Sequence, residues 1–424
     1  MIYNINDRPK TIKEWVLYTL QMVLAVFVAT VLIANICGTP VSSCLFGACL
    51  GTIIYQIITK FRSPMFISSC GATCSAVIGA LAMPSSSGQN YVMVAIGGAM
   101  IAIIYITFAL IIHFKGYEVL DKVFPATIVG PVTMVIGLNL AKFLVTYTNN
   151  SDPWQIGIAI LTMIVVAVSS HYFKGFLKTI PFLFGLSFGY IISLIVTECG
   201  WANIIDFSYF NPSNWKWYPD LTFLKWHLDD LQLASIGSVA LLFIPVSICA
   251  ILEHFSDHKT LSNIIGTDLT KDPGLTRSLI GDGVASFAGT VVCGLPNTSY
   301  GESIATIGFS KVASVCITTA AALFIGLLSF IAPINAFIQT IPACVFGGCA
   351  MILYGYIAAS GLKTIVNSKI NLEDNKNLIV ISVILTSGVS GVFFISESLT
   401  GVSLAMILGV ILNLILIKKK EEKR

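Results

Sequence analysis

Apolar runs long enough to cross a lipid bilayer recur from one end of the chain to the other. The stretch from Tyr91 to Ile112, for instance, contains no Asp, Glu, Lys or Arg. A hydrocarbon core of about 30 Å takes roughly 20 apolar residues of helix, so such a run reads as a span. Overall charge supports that reading. Only 11% of the 424 residues are charged and 56% are hydrophobic, whereas a soluble domain carries about 25% charged residues. The sequence therefore reads as an all-α polytopic membrane protein with no separate soluble domain.

The apolar runs predict spans at 15–36, 41–59, 66–83, 91–113, 123–145, 153–171 and 175–197, then at 234–257, 278–293, 296–310, 312–331, 337–360, 377–394 and 399–417. These fourteen transmembrane segments can be oriented by their basic flanks, because cytoplasmic loops are enriched in Lys and Arg. With the N-terminus inside, 21 of the 24 basic residues fall on one side, and Lys142, Lys216 and Lys225 are the exceptions. Both termini are thus expected to be cytoplasmic, and the basic tail from Lys418 to Arg424 is expected to anchor at the membrane surface. The first 14 residues are polar and precede a full span, so no cleavable signal peptide is expected. The long outer segment, about 198–233, carries Trp201, Trp215, Trp217 and Trp226 and suggests a short amphipathic interfacial element.

A net charge of +3 is too small and scattered to suggest a nucleic-acid partner. The eleven cysteines lie mostly inside apolar segments without Cys-x-x-Cys pairs, which points to packing rather than metal or disulfides. No cofactor is expected, and no nucleophile–base pair suggests an enzyme.

Pro125-Ala126 through Met134 opens the fifth expected span, and Pro342-Ala343 through Met351 opens the twelfth, with Pro, Ala, Gly and Met at the same offsets. Spans seven apart have opposite orientation. The chain is therefore expected to hold two inverted seven-span repeats (7+7), an architecture that binds substrate at the midplane between discontinuous helices. The third segment of each half fits. Phe66–Ser75 and Gly294–Ser303 are too short and too polar to cross lipid as continuous helices, and non-helical backbone at that depth must line protein or a cavity. An extended stretch followed by a half-helix is expected in each, starting near Ser69–Gly71 and near Ser299–Gly301. Both N-termini would offer free N–H groups and partial positive charge.

Ionisable residues inside spans are functional candidates. Glu302 lies in the broken tenth segment; Glu253, Asp257 and His258 lie at the end of the eighth. Glu253 and Asp257 share a helix face, and His254 points elsewhere. Structural readings compete. Ser299-Tyr300-Gly301-Glu302 fits a capping box, Glu253 fits an interfacial acid at a helix end, and Asp257, His258 and Lys259 face a loop if the helix ends early. The functional reading joins the pieces: a planar, neutral substrate with alternating C=O and N–H groups, its carbonyls on the half-helix amides and its N–H groups on the carboxylates. At least one of these acids is then expected to exchange a proton during the cycle.

At these residues the sequence resembles the nucleobase-ascorbate transporter family, or nucleobase:cation symporter-2, and within it the bacterial uracil permeases. The likeness is carried by Glu253-His254-x-x-Asp257-His258 followed by Asp272-Pro273-Gly274-Leu275, by Pro296-Asn297-Thr298-Ser299-Tyr300-Gly301-Glu302, and by Leu353-Tyr354-Gly355. Leu20-Gln21 and Ala29-Thr30-Val31-Leu32 extend it to the first span. The resemblance implies short antiparallel strands in segments 3 and 10, a dimer in several members, and two domains. Residues 1–113 and 234–331 would form the core (segments 1–4 and 8–11), and 114–233 and 332–424 the gate (5–7 and 12–14).

Carried over, the resemblance has Glu253 and Glu302 bind the base, with Gly71, Ala72, Tyr300, Gly301 and Tyr354 beside it. Glu253, Asp257, Glu302 and His258 would couple protons. Cys70-Gly71-Ala72 stands where uracil permeases usually carry a phenylalanine, Ser303 replaces a frequent asparagine, and Met22 stands where some members have histidine. The implied activity is import of uracil with protons across the cell membrane by movement of core against gate. A purine or xanthine symporter of the same family is the alternative, followed by an anion exchanger or channel on the related fold.

Overall fold

In the computed structural model, residues 1–86, 88–116, 125–141, 144–147, 152–390 and 401–416 are described. Lys122, Lys142, the basic tail and the ends of expected spans 5, 13 and 14 lie outside them. The first part of the chain runs α1 (Ile12–Cys37), α2 (Val41–Ile58), β1 (Ile67–Ser69), a 3₁₀ turn (Gly71–Thr73) leading into α3 (Cys74–Leu81), and α4 (Tyr91–Lys115). It continues with α5 (Ala126–Leu140), α6 (Pro153–Tyr172) and α7 (Pro181–Glu198). After the outer segment come α8 (Ile236–Ile265), α9 (Leu275–Cys293), β2 (Asn297–Ser299), α10 (Gly301–Ser310) and α11 (Val315–Leu328). A short helix, Ala332–Thr340, then leads to α12 (Ala343–Asn367), α13 (Asn375–Val389) and α14 (Val402–Ile415).

Seven of these helices, α1, α2, α4, α6, α7, α8 and α12, are long and apolar enough to cross a membrane alone. An eighth candidate is α11 with Ala332–Thr340, bent by 79°. The helix ends follow local chemistry. Thr11 and Glu14 close a capping box at the start of α1, and Gly38 ends it with φ 67°, a left-handed stop that suits glycine. Proline opens α6 and α7, where its missing N–H costs nothing.

The eighth and twelfth segments are bounded differently from the sequence reading. The eighth segment does not end at 257: α8 runs on to Ile265 because Leu261 and Ile265 continue its buried stripe, and Gly266 stops it with φ 78°. Falling hydropathy there marks an amphipathic helix end rather than a loop, so Asp257 and His258 stay on the helix. The twelfth segment starts at Ala343, since Ile341 and Pro342 are extended and separate it from Ala332–Thr340. The outer segment is not one continuous helix. Short 3₁₀ turns run through it, started by Asp206 on the Ser208 N–H and by Asn211 on the Ser213 N–H, and Pro212 and Pro219 add to the interruptions. Trp201, still exposed, stacks on Trp154 with ring centres 5.2 Å apart.

Helices in lipid gain little from hydrophobic burial against each other, so close packing at small residues supplies the attraction. α5 meets α12 this way: a Cβ on Gly137 would lie 2.5 Å from the Ala358 nitrogen and 2.6 Å from the Tyr354 carbonyl oxygen. Gly283 of α9 likewise seats the Tyr105 side chain of α4. The densest packing joins α9 to α4 and α2, α12 to α5 and α6, α11 to α2, and α6 to α7.

Loop contacts sort onto two faces. On one, Arg62 binds Asp272 at 2.8 and 3.0 Å, and the N-terminal arm pairs Tyr3 with Val312. On the other, Asp220 donates its backbone N–H to Ser42 Oγ and also pairs with Lys225 at 2.9 Å and Lys216 at 3.8 Å. Asp230 there accepts hydrogen bonds from the Ser86 N–H and from the Ser85 and Ser86 hydroxyls. Those bonds, led by the Ser86 N–H, hold its carboxyl below the usual carboxylate range. The clasp is therefore at full strength above the ordinary Asp value and weakens as pH falls through the depressed one.

The α5–α12 contact predicts that Gly137→Val lowers the melting temperature and monodisperse yield in detergent, since overpacking costs about 1–3 kcal/mol. Gly157 has nothing within 4 Å of its would-be Cβ, and Gly157→Ala should match or exceed the parent in the same melts.

Candidate functional site

The two short strands cross antiparallel in the interior, pairing Ile67 with Ser299, Ser68 with Thr298 and Ser69 with Asn297. Two polar residues in β1 and three in β2 can exist at this depth because their backbone groups find partners. Beyond the ladder, Cys70 donates its N–H to the Pro296 carbonyl at 2.8 Å and Tyr300 to the Phe66 carbonyl at 3.1 Å. Thr52 Oγ1 of α2 donates to the Ile67 carbonyl at 2.8 Å and accepts from the Ile67 N–H at 3.0 Å. Asn297 Nδ2 donates to the Gly47 carbonyl at 3.0 Å and the Ala285 carbonyl at 3.3 Å, tying β2 to α2 and α9.

The ribbon is symmetric about the Ser68–Thr298 pair. A glycine, Gly71 or Gly301, follows each strand two residues after its end, and a hydroxyl closes each first turn: Thr73 donates to the Cys70 carbonyl at 2.9 Å and Ser303 to the Tyr300 carbonyl at 2.7 Å. α3 and α10 thus leave opposite ends of a ribbon about 10 Å long, at roughly 3.4 Å per residue. Each carries partial positive charge at its start.

Glu253 and Gly301 are exposed, and Glu302, Asp257 and Gly71 are half-buried. No heavy atom lies within 4 Å of a would-be Cβ on Gly301, and at Gly71 the nearest are Ile33 of α1 at 3.7 Å and Ile357 of α12 at 3.8 Å. α8, which carries Glu253 and Asp257, packs against β2, α10 and the Gly71–Thr73 turn. Two carboxylates and two helix starts therefore lie around the ribbon, beside the open space at Gly301. Together they present acceptors from Glu253 and Glu302 and backbone donors from α3 and α10, a pattern suited to a small ring bearing both N–H and C=O groups.

Other predicted residues stand further back. Asp257 accepts from Ser299 Oγ at 2.7 Å, so Ser299 does not cap α10. The N-cap is Tyr300 without a side-chain bond, and the competing capping-box reading fails because the Ser299 hydroxyl is drawn to α8 instead. His258 is fully buried, Nδ1 2.9 Å from Met65 Sδ, and does not border the space. Ala72, Tyr300 and Tyr354 are buried as well, with the Tyr354 ring close to Tyr147.

The sequence reading missed Asp282 and its partners. Asp282 is fully buried in α9, accepts from Thr298 Oγ1 at 3.3 Å and lies 3.0 Å from His254 Nδ1. The signal was available, since an acid within the apolar run Leu279–Val284 meets the same criterion that singled out Glu253. Among the described residues, no group of three or more His, Cys, Asp or Glu side chains is placed to hold a metal ion.

Comparison with known proteins agrees with this architecture. The transmembrane domain of a cyanobacterium bicarbonate transporter, BicA, superimposes with a TM-score of 0.68 at 12% identity, covering 97% of this chain and 100% of that one. SLC26A9 gives 0.67 at 12% identity over 96% of this chain and 66% of its own. At such identities the likeness is one of fold. Uracil permeases of Bacillus caldolyticus and Bacillus subtilis are each 34% identical, over 98% and 99% of this chain and 94% and 96% of theirs. The Escherichia coli K12 uracil permease is 33% identical over 97% of this chain and 93% of its own. The family model described as Permease family (Xan_ur_permease) matches residues 13–397. The chain is a transporter of the nucleobase-ascorbate, or nucleobase:cation symporter-2, family.

Proposed function

We propose that this protein imports uracil across the cell membrane by proton symport. The observation that carries the proposal is the convergence of Glu253, Glu302 and the starts of α3 and α10 on the ribbon, beside the open space at Gly301. Uracil's two carbonyls would take N–H groups near Gly71 and Gly301, and its two N–H groups would go to the carboxylates. Tyr354, Tyr300 and Ala72 would pack around it. Glu253, Asp257, Glu302 and His258 would manage the proton, which contributes about 2.3 kcal/mol per 100 mV of membrane potential, or nearly fifty-fold in accumulation.

Fourteen spans in two inverted repeats fit the symmetric ribbon and the two fold relatives. Packing of α1, α2, α4, α8, α9 and α11 with one another, and of α5, α6, α7, α12, α13 and α14 with one another, supports a core that moves against a gate in an elevator-like cycle. The sorting of loop contacts onto two faces supports cytoplasmic termini. Pairing with Asp220 also accounts for two of the three basic residues on the outer side. A homodimer is proposed by analogy with family members alone.

The open space beside Gly301 favours, as a second reading, a purine or xanthine substrate. An anion-exchange role suits the fold relatives but not a site whose facing charges are acids.

Uptake of labelled uracil into proteoliposomes tests this directly. An inside-alkaline gradient should drive accumulation, a sodium gradient at equal pH should not, and excess xanthine should leave uptake intact. Uptake indifferent to the pH gradient would remove proton coupling from the proposal, and complete displacement by equimolar xanthine would favour the purine reading. Glu302→Gln and Glu253→Gln should each weaken uracil binding by about ten- to a hundred-fold, the range for losing a hydrogen bond to a charged group. In a Cys199→Ser background, which removes the exposed cysteine, Gly301→Cys should react with a hydrophilic thiol reagent and be protected by uracil. Labelling that uracil leaves unchanged would separate the open space from the substrate path.

A further inference from the structure

Behind the ribbon, two pairs of residues face each other with no exposure at all. His254 and His258 stand four apart on α8, their rings stacked with centres 5.3 Å apart. Ser278 and Asp282 stand four apart on α9. His254 engages both members of the α9 pair: Nε2 is 2.6 Å from Ser278 Oγ and Nδ1 is 3.0 Å from Asp282 Oδ2, an ion-pair contact off the ideal hydrogen-bond axis. Ser278 is held in turn by the Tyr55 hydroxyl of α2 at 2.9 Å, and the Tyr55 ring meets His254 edge-on. Asp282 carries the other end, accepting from Thr298 Oγ1 in the central pair of the ribbon.

A buried carboxylate must be compensated or its cost falls on the fold. Here the compensation comes from one side chain of α8 and one of β2. We infer that His254 is a positioning residue for substrate binding. By holding Asp282 it fixes Thr298, and Thr298 sets where β2 delivers Gly301 and Glu302. This inference rests on the reading of Glu302 as a substrate ligand. It assigns His254 no contact with substrate and no place on the proton path; the ring's job is to present an N–H to Asp282 while Nε2 is anchored on Ser278.

The two ring nitrogens can be mimicked separately. An asparagine amide reaches the position of Nδ1, and a glutamine amide reaches that of Nε2. Full-length His254→Asn, His254→Gln and Thr298→Val would be purified, checked for a monodisperse peak and melting temperature, and assayed for equilibrium uracil binding. His254→Asn, which keeps a donor for Asp282, should bind within about threefold of the parent. His254→Gln, which keeps only the Ser278 partner, should lose about tenfold or more. Thr298→Val should lose a similar factor, and His254→Gln with Thr298→Val should be no worse than the weaker single variant. Equal affinities for the Asn and Gln variants, or fully additive losses in the double variant, would overturn the inference. Should the histidine variants not fold, Thr298→Val alone decides it, since parental affinity there means that the Asp282 link does not position β2. Glu302→Gln run in parallel separates the two claims: parental binding there removes the site reading, whatever the His254 series gives.

Discussion

The structure depends on one constraint, that every backbone N–H and C=O held away from water must find a partner inside the protein. Helices satisfy it by themselves. The two stretches that are not helical, Ile67–Ser69 and Asn297–Ser299, satisfy it only by pairing with each other and with side chains from their neighbours. That requirement fixes where the helices α3 and α10 begin, and the same unpaired N–H groups at those beginnings become the donors of the candidate site. The polar site is a by-product of solving a hydrogen-bonding problem in lipid.

Charge placement follows a similar logic. Acids facing the open space, Glu253 and Glu302, have no basic partner among the ion pairs of the described residues, so they are available to a ligand or a proton. Asp282, by contrast, meets His254 and Thr298 through its Oδ2. Two kinds of carboxylate therefore occur around the ribbon, one kind open and one kind buried and structural.

Much of this was legible in the sequence. Apolar run length located the long helices, and the polar, glycine-containing segments after Phe66 and after Gly294 marked the breaks. Glu253 and Glu302 stood out because lipid excludes acids. Less legible was anything set by which side of a helix meets which neighbour. Whether α8 ended at Asp257 depended on Leu261 and Ile265 finding a buried surface. Ser299 offered a capping pattern whose hydroxyl was claimed by Asp257 across space. The outer tryptophans suggested a short amphipathic element by composition, and prolines and side-chain-capped turns give it 3₁₀ form.

The ribbon also has a consequence for how the protein is made. Its strands are separated by about 230 residues, which at roughly 5–20 residues per second is tens of seconds of synthesis. Throughout that interval β1 has been made and its partner has not. The hydroxyls of Thr52 and Thr30, bonded to Ile67 and Ser68, come from α1 and α2, which the ribosome has already delivered. They are placed to shelter the first strand until the second arrives, so these two threonines can act as a built-in chaperone for half of an unfinished site.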